Sequence, residues 1–303
     1  MLRDHPDRHP SSMRARATLT TRRGFDYAGR PISKVHVLRS HAALVLRPTQ
    51  PKDAEPLVRR ASQAARVSLV SGAAGPLGGD DFELNICVGE GSTLLFNEIS
   101  ATLLLPGPRG GRSHMRINIT VEDDASFVWM AEPLIAAHGC DHIHDVNINL
   151  APSARMLMRD QLLLGRHNEQ PGNLLQNLRI RRGGETLFRQ QLRLGPRALG
   201  WRSPAVIGAY KCVGTVLVVD PRWCEEPPAT RLFAPDAALL ALEGPAVMIS
   251  VLAAETLTLG KRMGQGINLL GDPWSPAAAR RDAPEGGGAT PLQSQDPKLI
   301  PVI

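Results

Sequence analysis

Several features that would point to a common functional class are scarce in this chain. Aromatic residues make up only 4% of the sequence, which leaves few side chains on which bases of single-stranded nucleic acid could stack. Lysine occurs only at positions 34, 52, 211, 261 and 298, so the formal charge of +6 rests on scattered arginines without a long basic run. This composition predicts no nucleic-acid partner and favours contacts with other proteins.

Long apolar runs are also missing. No stretch approaches the ~20 apolar residues that a membrane-spanning helix needs. The first twelve residues are polar, contain Pro6 and Pro10, and lack the apolar segment of a secretory signal. We therefore expect a cytoplasmic location and no membrane partner. The four cysteines form no C-x-x-C pair, and without a secretory signal we expect them to be free thiols.

The motifs of common catalytic sites do not occur. There is no G-x-S-x-G, no H-E-x-x-H and no dinucleotide fingerprint. The glycine cluster at 107–113 is reminiscent of a phosphate-binding loop, but Arg112 stands where that loop needs lysine, and an alternating strand follows instead of a helix. A hairpin connection is the better interpretation. We expect no catalytic group and no tightly bound cofactor, and therefore not an enzyme.

The middle of the chain consists of short segments of alternating polarity. Turn residues such as those at 78–80 and 182–184 separate them at short intervals, which predicts a predominantly all-β protein of stacked or layered sheets. The predicted strands are 35–38, 43–46, 66–70, 82–88, 93–96, 116–121, 126–130, 142–150, 155–164, 174–181, 186–194, 215–219 and 246–252.

Three segments divide the chain. Residues 1–30 and 272–303 are rich in proline, glycine, alanine and charge, and we expect both to be disordered tails. Residues 31–271 are expected to form the β domain. The best helix candidate is 253–269, near its end, although three glycines weaken its helical pattern.

One grouping has the chemistry of a metal site. Alternate side chains on a strand share a face and lie about 6.6–7 Å apart, so His138, Cys140, His142 and His144 are expected to point the same way. Imidazole and thiolate suit zinc, nickel or copper, which makes these residues candidate ligands for nickel in transit. The aspartates between them are expected on the opposite face. The alternative is a solvent-facing strand that happens to carry histidines.

The H-x-H spacing on a strand also occurs in the cupin metalloenzymes. That family needs a glutamate separated from H-x-H by three to four residues and a second histidine motif downstream. Here Ile148 and Asn149 occupy the glutamate positions, and no second motif follows. A cupin-like metal-dependent enzyme therefore remains only as an alternative function, beside a plain β scaffold without a metal role.

A set of short motifs resembles one known family. The chain carries S-G-A-A-G-P-L-G-G-D at 71–80, V-G-E-G at 88–91, F-V-W-M-A-E-P-L-I at 127–135, L-A-P-S-A at 150–154, L-G-R-H-N-E at 164–169 and L-E-G-P-A at 242–246. Their order and spacing over about residues 34–270 are similar to those of the UreD/UreH family of urease accessory proteins. Where that family has T-T-Q-x-A-T-K, this chain has N-E-I-S-A-T-L at 97–103.

The resemblance implies a function. Such proteins are all-β scaffolds with a small helical part that bind UreF and, through it, the GTPase UreG. The assembly docks on the urease apoprotein, and nickel passes to the urease active site. Six residues of the matched motifs are expected to be structural or partner-binding: Gly78, Gly79, Asp80, Glu132, Arg166 and Glu169. We expect the glycines to form a tight turn and Asp80 to cap it. Arg166 and Glu169 are expected either to pair with each other or to face a partner.

Overall fold

The computed structural model describes residues 12–50, 55–57 and 63–275. This part of the chain contains eighteen strands and one α-helix, so the predicted all-β class is confirmed. The elements are β1 (Arg14–Phe25), β2 (Pro31–Arg39), β3 (Leu44–Pro48), β4 (Ala65–Ser71), β5 (Asp81–Val88), β6 (Thr93–Glu98), β7 (Thr102–Leu104), β8 (Ser113–Val121), β9 (Ser126–Met130), β10 (Leu134–Ala136), β11 (Asp141–Leu150), β12 (Arg155–Leu164), β13 (Asn173–Arg182), β14 (Glu185–Leu194), β15 (Cys212–Val219), β16 (Arg231–Ala234), β17 (Ala237–Ala241), β18 (Ala246–Ala253) and α1 (Thr256–Asn268).

Two sheets enclose a shared core. The smaller sheet has seven strands in the order β14-β13-β11-β8-β5-β1-β2. The larger has eleven, of which nine follow the order β16-β17-β18-β15-β12-β9-β6-β4-β3. The other two, β7 and β10, pair with each other, and β10 also pairs with β12. The main hydrophobic cluster contains residues of both sheets, which places the core between them.

The centre of the molecule is a parallel coil. In the smaller sheet β5, β8, β11 and β13 pair in parallel, and in the larger sheet β4, β6, β9 and β12 do the same. Parallel strands need crossover connections, and here each crossover supplies strands to the opposite sheet. This solenoid-like winding differs from the two Greek keys of a jelly roll, so the fold does not support the cupin-like alternative.

Side-chain alternation decides which residues reach the core. In β11, Val146 and Ile148 are buried between the sheets, whereas Asn147 lies on the outer face of the smaller sheet. There Asn147 donates to Asn118 at 3.2 Å, and Asn118 donates to Asn85 at 3.0 Å. This ladder of amides follows from the in-register pairing of the parallel strands.

The larger sheet is interrupted between β6 and β7 and between β9 and β10. β9 ends at Met130, and pairing resumes at Leu134, where β10 lies between β7 and β12. β12 pairs with both β9 and β10 and continues without a break beside the interruption between them. Residues 99–101 and 131–133, which join the paired strands, therefore border a gap in the sheet. We call this gap the sheet window.

The outer face of the larger sheet carries α1. Its buried residues Leu259, Met263 and Ile267 pack on β15, β17 and β18 and form a second hydrophobic cluster. The helix predicted over 253–269 is confirmed as Thr256–Asn268. No helix among the described residues combines the length and the apolar character needed to cross a membrane.

The predicted tails were too long at both inner boundaries. β1 lies inside the predicted tail 1–30 and pairs with β2 and β5, with Ala15, Ala17 and Leu19 buried. At the other end Trp274 is fully buried, and its indole N–H donates to Asp220 at 3.0 Å. The tail prediction is therefore wrong for residues 12–30 and 272–275. Residues 1–11 and 276–303 lie outside the described residues.

Candidate functional site

A cavity of about 60 Å³ lies between the two sheets and reaches the sheet window. Apolar side chains from both sheets form most of its wall, among them Phe82, Ile117 and Trp129. Titratable groups are unusual in such a place, because burial disfavours charge unless a partner compensates it. Five nevertheless line this cavity: Glu98, Glu132, His142, His144 and Asp160.

The two histidines project inward from β11. Their rings are 5.9 Å apart between centroids, and both residues are buried. Burial lowers the pKa of His142 well below its usual value and that of His144 to about 4, so both rings are neutral at pH 7. His142 Nδ1 lies 2.8 Å from the Ser113 hydroxyl, whereas His142 Nε2 and His144 Nδ1 have no hydrogen-bond partner within the described structure. A neutral imidazole with an unused nitrogen fits a metal ion.

Glu98 lies at the end of β6, beside the sheet window. The indole N–H of Trp129 donates to its carboxyl group at 3.3 Å, and the backbone N–H of Glu132 also donates to it. Burial outweighs these bonds and raises the pKa of Glu98 to about 8. The group therefore holds a proton at neutral pH, and an arriving cation would have to displace it.

Asp160 lies in the middle of β12, on the face directed at the cavity. Its carboxylate accepts a hydrogen bond from the Gln176 side chain at 2.8 Å. Burial raises the pKa of Asp160 to about 6. Asp160 is therefore mostly charged at neutral pH, whereas Glu98 is mostly neutral, and the cavity offers one of each form.

Glu132 follows the end of β9, in the segment that borders the sheet window. Its side chain is 40% exposed, and Oε1 lies 3.3 Å from Nη2 of Arg159. The predicted strand 126–130 is confirmed, since β9 stops at Met130 and β10 begins only at Leu134.

The four residues predicted as metal ligands do not share one strand face. β11 begins only at Asp141, so the alternation does not extend back to His138, which is exposed, or to Cys140. Cys140 is buried in a separate hydrophobic cluster, and burial raises the pKa of its thiol to about 12, which disfavours the thiolate that binds metals. The solvent-facing alternative is also wrong, because His142 and His144 lie inside. Across the described ranges, no three His, Cys, Asp or Glu side chains converge closely enough to hold a metal ion.

The other predictions for this region are confirmed. Asp141 lies on the outer face with Arg112 and Arg197, and Asp145 lies there with His114 and Asn177. All four cysteines are free thiols.

The glycine-rich turn serves structure. Gly79 has φ +99°, a region that residues with a Cβ rarely adopt. Gly78 has an ordinary φ, but a Cβ there would lie 2.6 Å from the backbone nitrogen of Gly107. Asp80 is buried, and its carboxylate accepts hydrogen bonds at 2.8 Å from the backbone N–H groups of Leu77 and Met13. Asp80 therefore caps this turn, as predicted, and also holds the start of the N-terminal strand.

Arg166 and Glu169 pair with each other. The guanidinium donates to the carboxylate at 2.9 and 2.7 Å, and the backbone N–H of Arg166 donates to it at 2.9 Å. The hydrogen bond from the Arg166 side chain is the largest factor that lowers the pKa of Glu169 to about 2. The pair fixes its loop, and a role in partner binding stays a prediction.

Sequence reasoning missed Glu98 and Asp160 as site residues. The sequence did indicate Asp160, since an aspartate inside the apolar strand M-L-M-R-D-Q-L-L-L predicts a buried polar group. It also indicated the inward direction of His142 and His144, because they are in phase with the apolar Val146, Ile148 and Leu150. It did not indicate Glu98, because its position at a strand end leaves its direction open.

The fold and the site together define a class of protein: a two-sheet β protein with a parallel coil at its centre and titratable side chains on the wall of an interior cavity. Comparison with known proteins agrees with the motifs. The family model described as UreD urease accessory protein matches residues 13–284. The chain therefore belongs to the UreD family of urease accessory proteins.

The chain matches most of the length of several curated relatives. The urease accessory protein UreD of Streptomyces coelicolor is 38% identical over 232 residues, 76% of this chain and 88% of the relative. UreD 3 of Streptomyces griseus is 36% identical over 265 residues, 86% and 98% of the two chains. UreD of Frankia alni is 34% identical over 278 residues, 84% and 92%.

Proposed function

We propose that this protein assists the insertion of nickel into urease, in the cytoplasm, in a complex with UreF-type and UreG-type proteins and the urease apoprotein. In this proposal the ion passes through the interior cavity. The observation that carries it is the set of five titratable side chains on the wall of a cavity inside the protein. Burial of such groups destabilises a fold, so their presence favours a functional role.

The chemistry of the five groups suits a borderline cation. Imidazole and carboxylate both bind Ni²⁺, and the unpartnered nitrogens of His142 and His144 are free to do so. The groups follow the cavity wall and do not converge on one point, as stated above for the described residues. Such a spread offers successive weak contacts, which favour passage of an ion over its retention.

The division of tasks between this protein and its UreG-type partner also supports a role without catalysis. The sequence contains no nucleotide-binding loop, so GTP hydrolysis is assigned to the UreG-type partner. The exposed Arg–Glu loop and the polar outer faces then serve contacts with partners.

Reconstituted activation of apo-urease tests the proposal. Glu98→Gln/Asp160→Asn keeps the size of both side chains and removes both carboxylates. We expect this variant to bind its partners normally and to deliver much less nickel to urease. Glu83→Gln is the matched control, because Glu83 lies on the outer face of the smaller sheet, paired with Arg16. Full nickel loading of urease by the double variant would contradict passage through the cavity.

A further inference from the structure

The cavity wall includes Ala131 and Glu132, two residues of the segment that borders the sheet window. Glu98, Glu132 and Asp160 line the cavity and lie at or beside the gap. Since side chains alternate along β12, Asp160 shares the cavity face with Met158 of the inter-sheet core. Arg159 therefore points to the other face, where α1 packs. Neighbouring residues of β12 thus present side chains on both faces of the sheet beside the window.

Arg159 is held firmly at the window. Its Nε and Nη2 donate to the backbone carbonyl of Ala131 at 3.1 and 3.0 Å, and Gln161 donates to the same carbonyl at 2.9 Å. Nη2 also lies 3.3 Å from Oε1 of Glu132. The ion pair therefore connects a residue of the outer face with a carboxylate that lines the cavity.

The pair is in contact with solvent, and its glutamate also lines the cavity. The side chain of Glu132 is 40% exposed and that of Arg159 is 21% exposed. A guanidinium at this place opposes a cation in two ways: it engages the carboxylate that a cation would meet first, and it repels like charge. A partly exposed ion pair contributes little to stability, so an arriving divalent cation can replace the guanidinium at Glu132.

We propose that the sheet window is a port for divalent cations and that the Arg159–Glu132 ion pair closes it. The port rests on the proposed function in one respect, namely that the ion in the cavity is a divalent cation such as Ni²⁺. Without the guanidinium, Glu132 is uncovered and the like-charge barrier is gone, so ions enter faster.

Stopped-flow measurement of Ni²⁺ binding to the purified full chain tests the port. We expect Arg159→Met and Arg159→Gln to raise the association rate about tenfold, the lower end of the effect of a local charge on the encounter rate. The glutamine variant keeps a donor for the Ala131 carbonyl and guards against loss of the fold. Arg159→Lys keeps the charge and should bind at a rate near that of the native protein.

Arg155→Met is the matched control. Arg155 lies on the same strand, 3.8 Å from Asp220 and four residues away from Arg159, so the rate should not change. A purely structural role of Arg159 would lower the melting temperature without faster entry of nickel. A folded Arg159→Gln variant that binds nickel at the native rate, or does not bind it, overturns the port.

The test separates the port from the proposed function. If Arg159→Gln binds nickel faster while Glu98→Gln/Asp160→Asn still activates urease fully, the port stands and passage to urease through the cavity fails. The converse result removes the port and leaves the proposed function intact.

Discussion

At the scale of single residues, Glu98 carries a proton that an exposed glutamate would have lost. Its pKa is raised to about 8, above the ordinary 4.5, because the carboxyl group is enclosed. Between these values the folded state keeps the proton and the unfolded state loses it, so Glu98 makes folding less favourable as pH rises from about 4.5 to 8. His144 acts in an overlapping range and in the opposite sense: the protein loses stability as pH falls from 6.5 towards 4, because only the unfolded state takes up a proton.

The raised pKa of Glu98 makes the stability of the protein depend measurably on pH. Glutamine at position 98 has no proton to keep, so the melting temperature of Glu98→Gln relative to the native protein should be higher at pH 8 than at pH 6.5. Thermal unfolding at the two pH values measures this difference in melting temperature. Asp160, with a pKa of about 6, contributes little to the change in stability between pH 6.5 and pH 8. An equal difference at both pH values would mean that Glu98 is ionised in the folded protein.

The glycine turn at 75–79 gives a second prediction at this scale. Gly78→Val and Gly79→Val should each lower the free energy of unfolding by about 1–3 kcal/mol, the usual cost of overpacking at Gly78 and of a strained backbone at Gly79. The reasons differ, since Gly78 lies against the backbone of Gly107 and Gly79 has a positive φ. Denaturant titration measures the loss. As a control, Gly260→Ala in α1 meets open space and should raise stability by about 0.5–1 kcal/mol. Native stability in either valine variant would show that the turn does not require glycine at that position.

At the scale of the element, β11 carries two faces with different tasks. Its outer face continues the polar network of the smaller sheet, and its inner face presents His142 and His144 to the cavity. Because the rings are inside, any nickel that they bind must have entered the protein. The metal prediction made from the sequence is therefore narrowed to these two histidines.

We expect the native chain to bind nickel weakly, and His142→Ala/His144→Ala to abolish this binding and lower urease activation while partner binding persists. Calorimetric titration with Ni²⁺ and a pull-down of the partner measure the two effects. Removing two buried rings also leaves space, so Ile117→Ala, which enlarges the same cavity without removing a ligand, is the control. Equal nickel binding by both variants and the native protein would assign the histidines a packing role.

The strands show how far the sequence alone leads. The segments 126–130 and 155–164 were predicted with the bounds observed for β9 and β12. β1 was missed because arginine alternates there with small alanines, which hides a buried face. β7 and β10 were missed because three residues cannot show a period. The cavity could not be predicted, since it depends on how two sheets are spaced and not on either one alone.

At the scale of the whole molecule, the chain belongs to the UreD family, and the proposed function can be tested in cells. Deletion of this protein should leave the urease subunits present but poor in nickel and inactive, because the apoprotein lacks its delivery partner. Metal analysis and activity of the purified urease measure this, with the gene restored as control. Full activity in the deletion strain at ordinary nickel supply would contradict the proposed function.

The winding of the chain fixes how this cavity can work. Strand β5 of one wall is followed by β6 of the other, then β8 by β9, and β11 by β12. The two walls are consequently threaded through each other and not carried on separate lobes. They cannot swing apart like a clamshell without unwinding the coil and breaking its parallel ladders. In the proposed function, passage of an ion through the interior must therefore depend on side-chain rotations while the backbone stays closed.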